Sequence, residues 1–157
     1  MYKPQRRKDR AMDMEGILDV LARGEYGVMA SVDSENLPHA TPLSYIWHDG
    51  AIWFHCALVG QKVDNINHQS RMCFTVACDV EAVYDNNFTT LYKSAVVYGD
   101  AAPEEDERTK REILRLLCAK YLPDHLENFE ASIKDGLPRT AVYKITPVHI
   151  TGKHKKV

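Results

Sequence analysis

No stretch of this 157-residue chain approaches the ~20 consecutive apolar residues that a bilayer-crossing helix requires, so no membrane association is expected. Net charge is also nearly absent. Lys and Arg number 20 against 22 Asp and Glu, a formal balance of −2, so no broad field invites nucleic acid and only a local basic groove is left open. The opening MYKPQRRKDR is basic but runs into Ala11-Met12-Asp13-Met14-Glu15 rather than the apolar core of a signal peptide. A cytoplasmic location is the resulting expectation. Cysteine is sparse, with four residues and no C-x-x-C pair, and free thiols are expected rather than disulfides. Cys56, Cys73 and Cys78 lie in apolar alternating runs and Cys118 on the buried side of an expected helix, so each reads as a small core residue. Zinc would have to be gathered from His48, His55, Cys56 and Cys73, whose spacing has no metal signature, and no metal is expected.

Several catalytic signatures are missing as well. There is no G-x-x-x-x-G-K-[ST] phosphate loop and no G-x-G-x-x-G dinucleotide fingerprint. G-x-S-x-G and H-E-x-x-H are likewise absent, and no spaced pair of carboxylates stands out. No internal repeat, low-complexity stretch or long linker divides the chain, and its length suits one domain spanning 1–157. An apolar share of 45% is enough for a core without disulfide staples.

What is present reads as strands with a few helices. A helix is expected after Asp13, with Ile17, Leu18 and Leu21 on one side and Gly24 as its stop. In Gly27–Val32 the residues Val28, Ala30 and Val32 share a face, and Asp33 to Pro38 turns the chain. Ser44–Trp47 and Ile52–His55 flank His48-Asp49-Gly50-Ala51, whose Asp-Gly pair tolerates the positive φ of a tight hairpin. A short helix carrying Val63 and Ile66 follows Gly60, and strands are expected at Met72–Val76 and Ser94–Tyr98.

Pro103 and the acidic run Glu104–Glu107 suit a helix start, with a core stripe of Ile113, Leu116, Leu117 and Tyr121 before Pro123. A second helix from Asp124, with Glu127 completing a capping box, buries Leu126, Phe129 and Ile133 and stops near Gly136. The last strand starts at Ala141–Ile145 and continues to Ile150, leaving Lys153–Lys156 as a solvated terminus. Six strands without regular helix alternation predict a mainly β fold, a six-stranded antiparallel closed or split barrel with flanking helices.

One segment combines strand, loop and helix start in a way that suits an anion. A helix beginning near Gly60 would present free backbone N–H groups, with Lys62 in its first turn. His55 shares a strand face with Trp53 and Ala57 and would titrate near neutral pH. The basic arm Arg6-Arg7-Lys8 with Arg10 reads as solvated or interface-bound.

The motifs in order are Arg6-Arg7-Lys8-Asp9-Arg10, Gly27–Val32, Pro38-His39-Ala40-Thr41-Pro42-Leu43, Phe54-His55-Cys56-Ala57 with Gly60-Gln61-Lys62, Tyr92–Val96 before Gly99, and Tyr143–Ile145 to Thr151-Gly152-Lys153. In this order and spacing the chain resembles the pyridoxamine 5′-phosphate oxidase-like flavoproteins, in particular the nitroimidazole-resistance branch. The resemblance implies an FMN-binding split-barrel homodimer with FMN in clefts between subunits and a small-molecule substrate. It places Thr41, Pro42 and Leu43 along the isoalloxazine edge. His55, Cys56, Ala57, Gly60 and Lys62 would surround the ribityl phosphate, and Tyr92 and Ser94 would face the cleft from a strand of the other subunit. Cys56 stands where many relatives have Ser or Gly, and Gln61 where they have a basic residue. The implied activity is FMN-dependent reduction of electron-poor molecules such as nitroimidazoles. His55, whose imidazole can donate a proton near neutral pH from a strand ahead of Gly60, is the expected catalytic residue. The alternatives are a non-enzymatic flavin- or haem-binding protein on the same barrel, and a structural dimer with an empty cleft.

Overall fold

A computed structural model describes residues 2–84 and 86–156. After a 3-10 turn at Lys8–Arg10, the elements are α1 (Met14–Arg23), β1 (Gly27–Val32), β2 (Pro38–Leu43), β3 (Ile46–His48), β4 (Ala51–Ala57) and α2 (Gln61–His68). β5 (Arg71–Tyr84), β6 (Phe88–Pro103), α3 (Glu107–Tyr121), α4 (Phe129–Gly136) and β7 (Thr140–Lys155) complete the order. Seven strands, not six, form one antiparallel sheet in the order β2-β1-β5-β6-β7-β4-β3. The added strand is β2, which pairs with β1 from Val32–Pro38 to Gly27–Leu43, so the expected turn ends before Pro38. Pro38 opens an edge strand, a place where its missing N–H costs nothing.

The link from β2 to β3 dictates the sheet's shape. Leu43 ends one edge of the sheet, and Ile46 begins the opposite edge, with only Ser44 and Tyr45 between them. Three residue steps span at most about 11 Å, whereas seven strands laid flat would put the edges roughly 29 Å apart. The sheet must therefore roll. Its edges are not joined by a ladder, however, so the barrel is split rather than closed.

Core packing follows the alternation of the strands. Inside the roll, Ile17, Val20 and Leu21 of α1 pack with Met29, Phe54, Phe74, Val97 and Ile145. Outside it, α3 and α4 cover Ala51, Trp53 and Val142 with Ile113, Leu117, Phe129 and Ile133. β4 is thus buried on both faces, with Ile52 and Phe54 in one core and Ala51 and Trp53 in the other, which explains its unbroken apolar run. In β1 the core face belongs to Gly27, Met29 and Ser31, so Val28, Ala30 and Val32 occupy the opposite, less buried face.

Local signals behave in different ways. Asp13 caps α1 by accepting from Gly16 N–H at 2.9 Å. The β3–β4 turn has Asp49 at φ 48° and Gly50 at φ 69°, as the hairpin reading requires. Asp106, rather than Pro103, starts α3, accepting from Thr109 N–H at 2.8 Å. Asp124 caps nothing: Pro123–Asn128 is a 3-10 segment with His125 off helical geometry, and α4 starts only at Phe129. The C-terminal Lys153, His154 and Lys155 are not a free tail but pair with Ser94, Lys93 and Tyr92. The cysteines are free, as expected, but only half-buried. Trp53 lies under the helices, and the Tyr98 ring is covered by Tyr2, with ring centres 4.7 Å apart.

Tyr45 holds the roll together. Its hydroxyl donates to Leu21 C=O at 2.7 Å, and its N–H donates to the Tyr121 hydroxyl at 2.9 Å. Its carbonyl accepts from Tyr121 Oη at 3.0 Å and from Lys120 Nζ at 3.1 Å, and Lys120 also donates to Gly24 C=O at 2.7 Å. At the bulge between Cys78 and Glu81, Asp79 adopts φ 52° and takes charge-assisted bonds from Arg23 at 2.9 Å and Lys93 at 3.0 Å. Tyr45→Phe should lower unfolding stability by about 1–3 kcal/mol in denaturant titration, because it strands a buried carbonyl. Hydrogen bonding to Arg23 holds Asp79 at about 2, below its ordinary 3.8. The stabilisation is present above pH 3.8 and lost as pH falls toward 2. Melting temperatures of Asp79→Asn should therefore lie below wild type at pH 6 and converge with it across that acid window.

Candidate flavin site

The split brings β2 opposite the end of β4 and the start of α2. A cavity of about 230 Å³ lies there, lined by His39 and Thr41 from β2 and by Cys56, Ala57 and the Val59–Val63 segment. α2 is seated by Val63 and Ile66 in the inner core and by a buried bond from Asn65 Nδ2 to Ser31 Oγ at 2.9 Å. Its N-cap, Gly60, has φ 133°, a conformation that side chains resist, although a Cβ there would meet nothing within 4 Å. The Gly60 carbonyl accepts from Val63 and Asp64 N–H, and no side chain caps the helix. The N–H groups of Gln61 and Lys62 precede the first intrahelical bonds, so they are left for an external acceptor. The ammonium of Lys62 adds positive charge to this turn, against the single carboxylate of Asp64.

Thr41 adds a second observation. Its hydroxyl is the one buried side-chain polar atom without a hydrogen-bond partner among the described residues. A small χ1 change would let it serve a ligand in the cavity. Cys56 has its thiol pushed up by burial, with Lys62 opposing the shift, so it stays protonated and acts as a wall rather than a nucleophile.

The cavity therefore gathers Thr41, Cys56, Ala57, Gly60 and Lys62 of the residues expected from sequence. It does not gather the rest. Pro42 is exposed on β2, and Leu43 turns into the inner core. His55 is displaced by strand alternation to the other face from Cys56, where it borders an apolar cavity of about 140 Å³ with Leu114, Leu117, Cys118, Phe129 and Ile133. Its imidazole pKa is pushed below the ordinary value by desolvation and then by the charge of Lys62. Tyr92 and Ser94 line a separate hollow of about 580 Å³ on the outer face of β6 and β7, beside Tyr2, Tyr98 and His149. Sequence reasoning missed His39, although its i, i+2 relation to Thr41 on a strand already implied a shared face. Among the described residues, no three His, Cys, Asp or Glu side chains are placed to hold a metal. No helix among them is long and apolar enough to cross a membrane.

This arrangement has counterparts. The model of the pyridoxamine 5′-phosphate oxidase family matches residues 13–154. The chain belongs to that family. Among curated proteins, none matches. Solved structures that share the fold include a candidate 5-nitroimidazole antibiotic resistance protein from Bacteroides thetaiotaomicron, 19% identical, TM-score 0.77, covering 92% of this chain and 86% of that one. A flavocytochrome from Azotobacter vinelandii is 20% identical with TM-score 0.83, over 98% of this chain and 73% of the other. An FAD- and haem-binding protein from Mycobacterium smegmatis is 17% identical with TM-score 0.79, over 96% and 75%. What these structures share with this chain is the fold.

Thr41→Val removes the orphaned hydroxyl while keeping its shape. The ligand-free variant should be as stable as wild type or up to about 1 kcal/mol more stable in urea unfolding, since no hydrogen bond is lost and a buried polar group is removed.

Proposed function

We propose that this chain is an FMN-dependent oxidoreductase that reduces small electron-poor molecules such as nitroimidazoles. The observation that carries the reading is the uncapped, lysine-bearing N-terminus of α2 opening onto the cavity in the split. Backbone N–H groups and an ammonium at a helix start suit a phosphate monoester. The donor set therefore fits the phosphate of FMN, with Gly60, Gln61 and Lys62 holding it and Thr41 available to a polar edge of the ring system. When bound, the flavin supplies the electron-transfer chemistry. The chain binds and orients it, and the half-buried Cys56 and the buried Val63 keep water from one side.

Two features support a homodimer with the flavin between subunits. Leu58 and Val59, beside the cavity, are 52% and 81% exposed, and Phe88 at the β5–β6 tip is 88% exposed. Large apolar side chains left in water at a site's rim suit coverage by a second copy. Tyr92 and Ser94, separate from the Lys62 cavity within one chain, would then reach it from the partner copy. In this reading His55 stays neutral near pH 7, as its lowered pKa implies, and serves as a hydrogen-bond donor near the site rather than a standing acid.

A second reading is a haem- or flavin-binding protein without turnover. The neutral imidazole of His55 stands at an apolar cavity, a suitable axial ligand, but about 140 Å³ is too little to enclose a porphyrin. The visible spectrum of the purified protein separates these readings. Two flavin bands that bleach on reduction and return on adding a nitroimidazole support the first. A Soret band, or flavin bands that a nitroimidazole does not restore, support the second, and no colour even after adding FMN defeats both. Lys62→Ala should weaken FMN binding by about 1.5–3 kcal/mol in fluorescence titration and leave riboflavin, which lacks the phosphate, nearly unaffected. Equal losses for both ligands would remove the phosphate assignment.

A further inference from the structure

The two basic runs at opposite ends of the sequence meet in space. Ala11 bridges to Lys153, and Met12 N–H and Gln5 Nε2 donate to Gly152 C=O at 3.1 and 3.0 Å, fixing the N-terminal segment against β7. This brings Arg7 and Arg10 beside His154, Lys155 and Lys156 around a cavity of about 280 Å³. Asp9 is the one carboxylate in its lining. It is already engaged by Arg7, with Nε at 2.8 Å from Oδ1. Among the described residues, Arg10 and Lys155 have no carboxylate at ion-pair distance. The near-neutral total charge conceals this concentration of positive charge.

Like charges held together around a concavity repel one another, and an anionic ligand relieves the repulsion. We propose that this pocket, formed by Arg7, Arg10, Lys155 and Lys156, is a binding site for a small molecule carrying a diphosphate, such as a nucleoside diphosphate or a dinucleotide. Three features select that chemistry. Guanidinium forks match phosphoryl oxygens in pairs, and the lysines add point charges. The lining carries four permanent cations against the one carboxylate of Asp9, still more positive charge than a single phosphate monoester neutralises. The site is a compact concavity of six lining residues rather than the long groove that would track a nucleic-acid strand.

The pocket is distinct from the Lys62 cavity, and the inference stands without the flavin reading. Lys155 of β7 pairs with Tyr92 of β6, which lines the separate hollow beside Tyr2 and Tyr98. A phosphorylated co-substrate anchored here would lie along the same strand pair as Tyr92 and Ser94.

Calorimetric titration of the full chain with inorganic pyrophosphate and with ADP, at low and at 150 mM salt, tests the site. Saturable 1:1 binding per chain that weakens with salt is expected for both probes. Arg10→Ala with Lys155→Ala should weaken both by about tenfold or more, and Arg10→Lys with Lys155→Arg should restore most of it. Lys62→Ala should leave pyrophosphate binding within about twofold, while it weakens FMN. An absence of saturable binding at millimolar pyrophosphate would overturn the proposal. So would an Arg10→Ala/Lys155→Ala variant with wild-type circular dichroism and unchanged affinity. A loss with Lys62→Ala equal to that for FMN would move the anion to the other cavity. Binding of a single-stranded oligonucleotide at least 100-fold tighter than pyrophosphate would reassign the patch to nucleic acid.

Discussion

A two-residue link between opposite edges of one sheet governs this structure. Ser44 and Tyr45 join the end of β2 to the start of β3, so the seven strands have to curl until the edges face each other. Tyr45 then secures the seam with both its backbone and its side chain. It ties the C-terminal carbonyls of α1 to the last turn of α3, while Lys120 lies 4.1 Å from the centre of its ring. The interior cluster depends on this closure, since α1 is enclosed only because the sheet bends around it.

The same constraint makes the site. Edge strands that approach without pairing leave a slot, and β2 faces the exit of β4 across it. α2 lies beside that slot, fixed by the Asn65–Ser31 bond, and so its first turn faces the gap rather than bulk solvent. The positive pole of a short helix, one ammonium and an unpartnered hydroxyl are placed together by sheet geometry, not by proximity in sequence.

Much of this was readable from residue patterns. The Asp49-Gly50 hairpin, the Asp13 cap and the helix after Gly60 are local signals, and each operates within a few residues. The place of Lys62 in the first turn of that helix was legible for the same reason. β2 was not, because Pro38-His39-Ala40-Thr41-Pro42 has weak strand propensity and becomes a strand through pairing with β1. The capping box at Asp124 failed because Pro123 and the non-helical His125 impose a 3-10 path first. His55 and Cys56 look like neighbours in a motif, yet alternation sends them to different sides, a distinction that depends on which face of β4 each core occupies. The meeting of the N- and C-terminal basic runs was invisible because it is a tertiary bridge between residues far apart in the chain.

β4 carries a further implication. For its first four residues the strand is clothed by two different cores, so a one-residue slip would exchange Phe54 and Trp53 and damage both at once. From His55 onward that burial ends, and the strand emerges into the split. The two halves of this strand are therefore constrained differently. The first is held by two cores, while the second, which reaches the cavity through Cys56 and Ala57, is free of that packing and open to substitution.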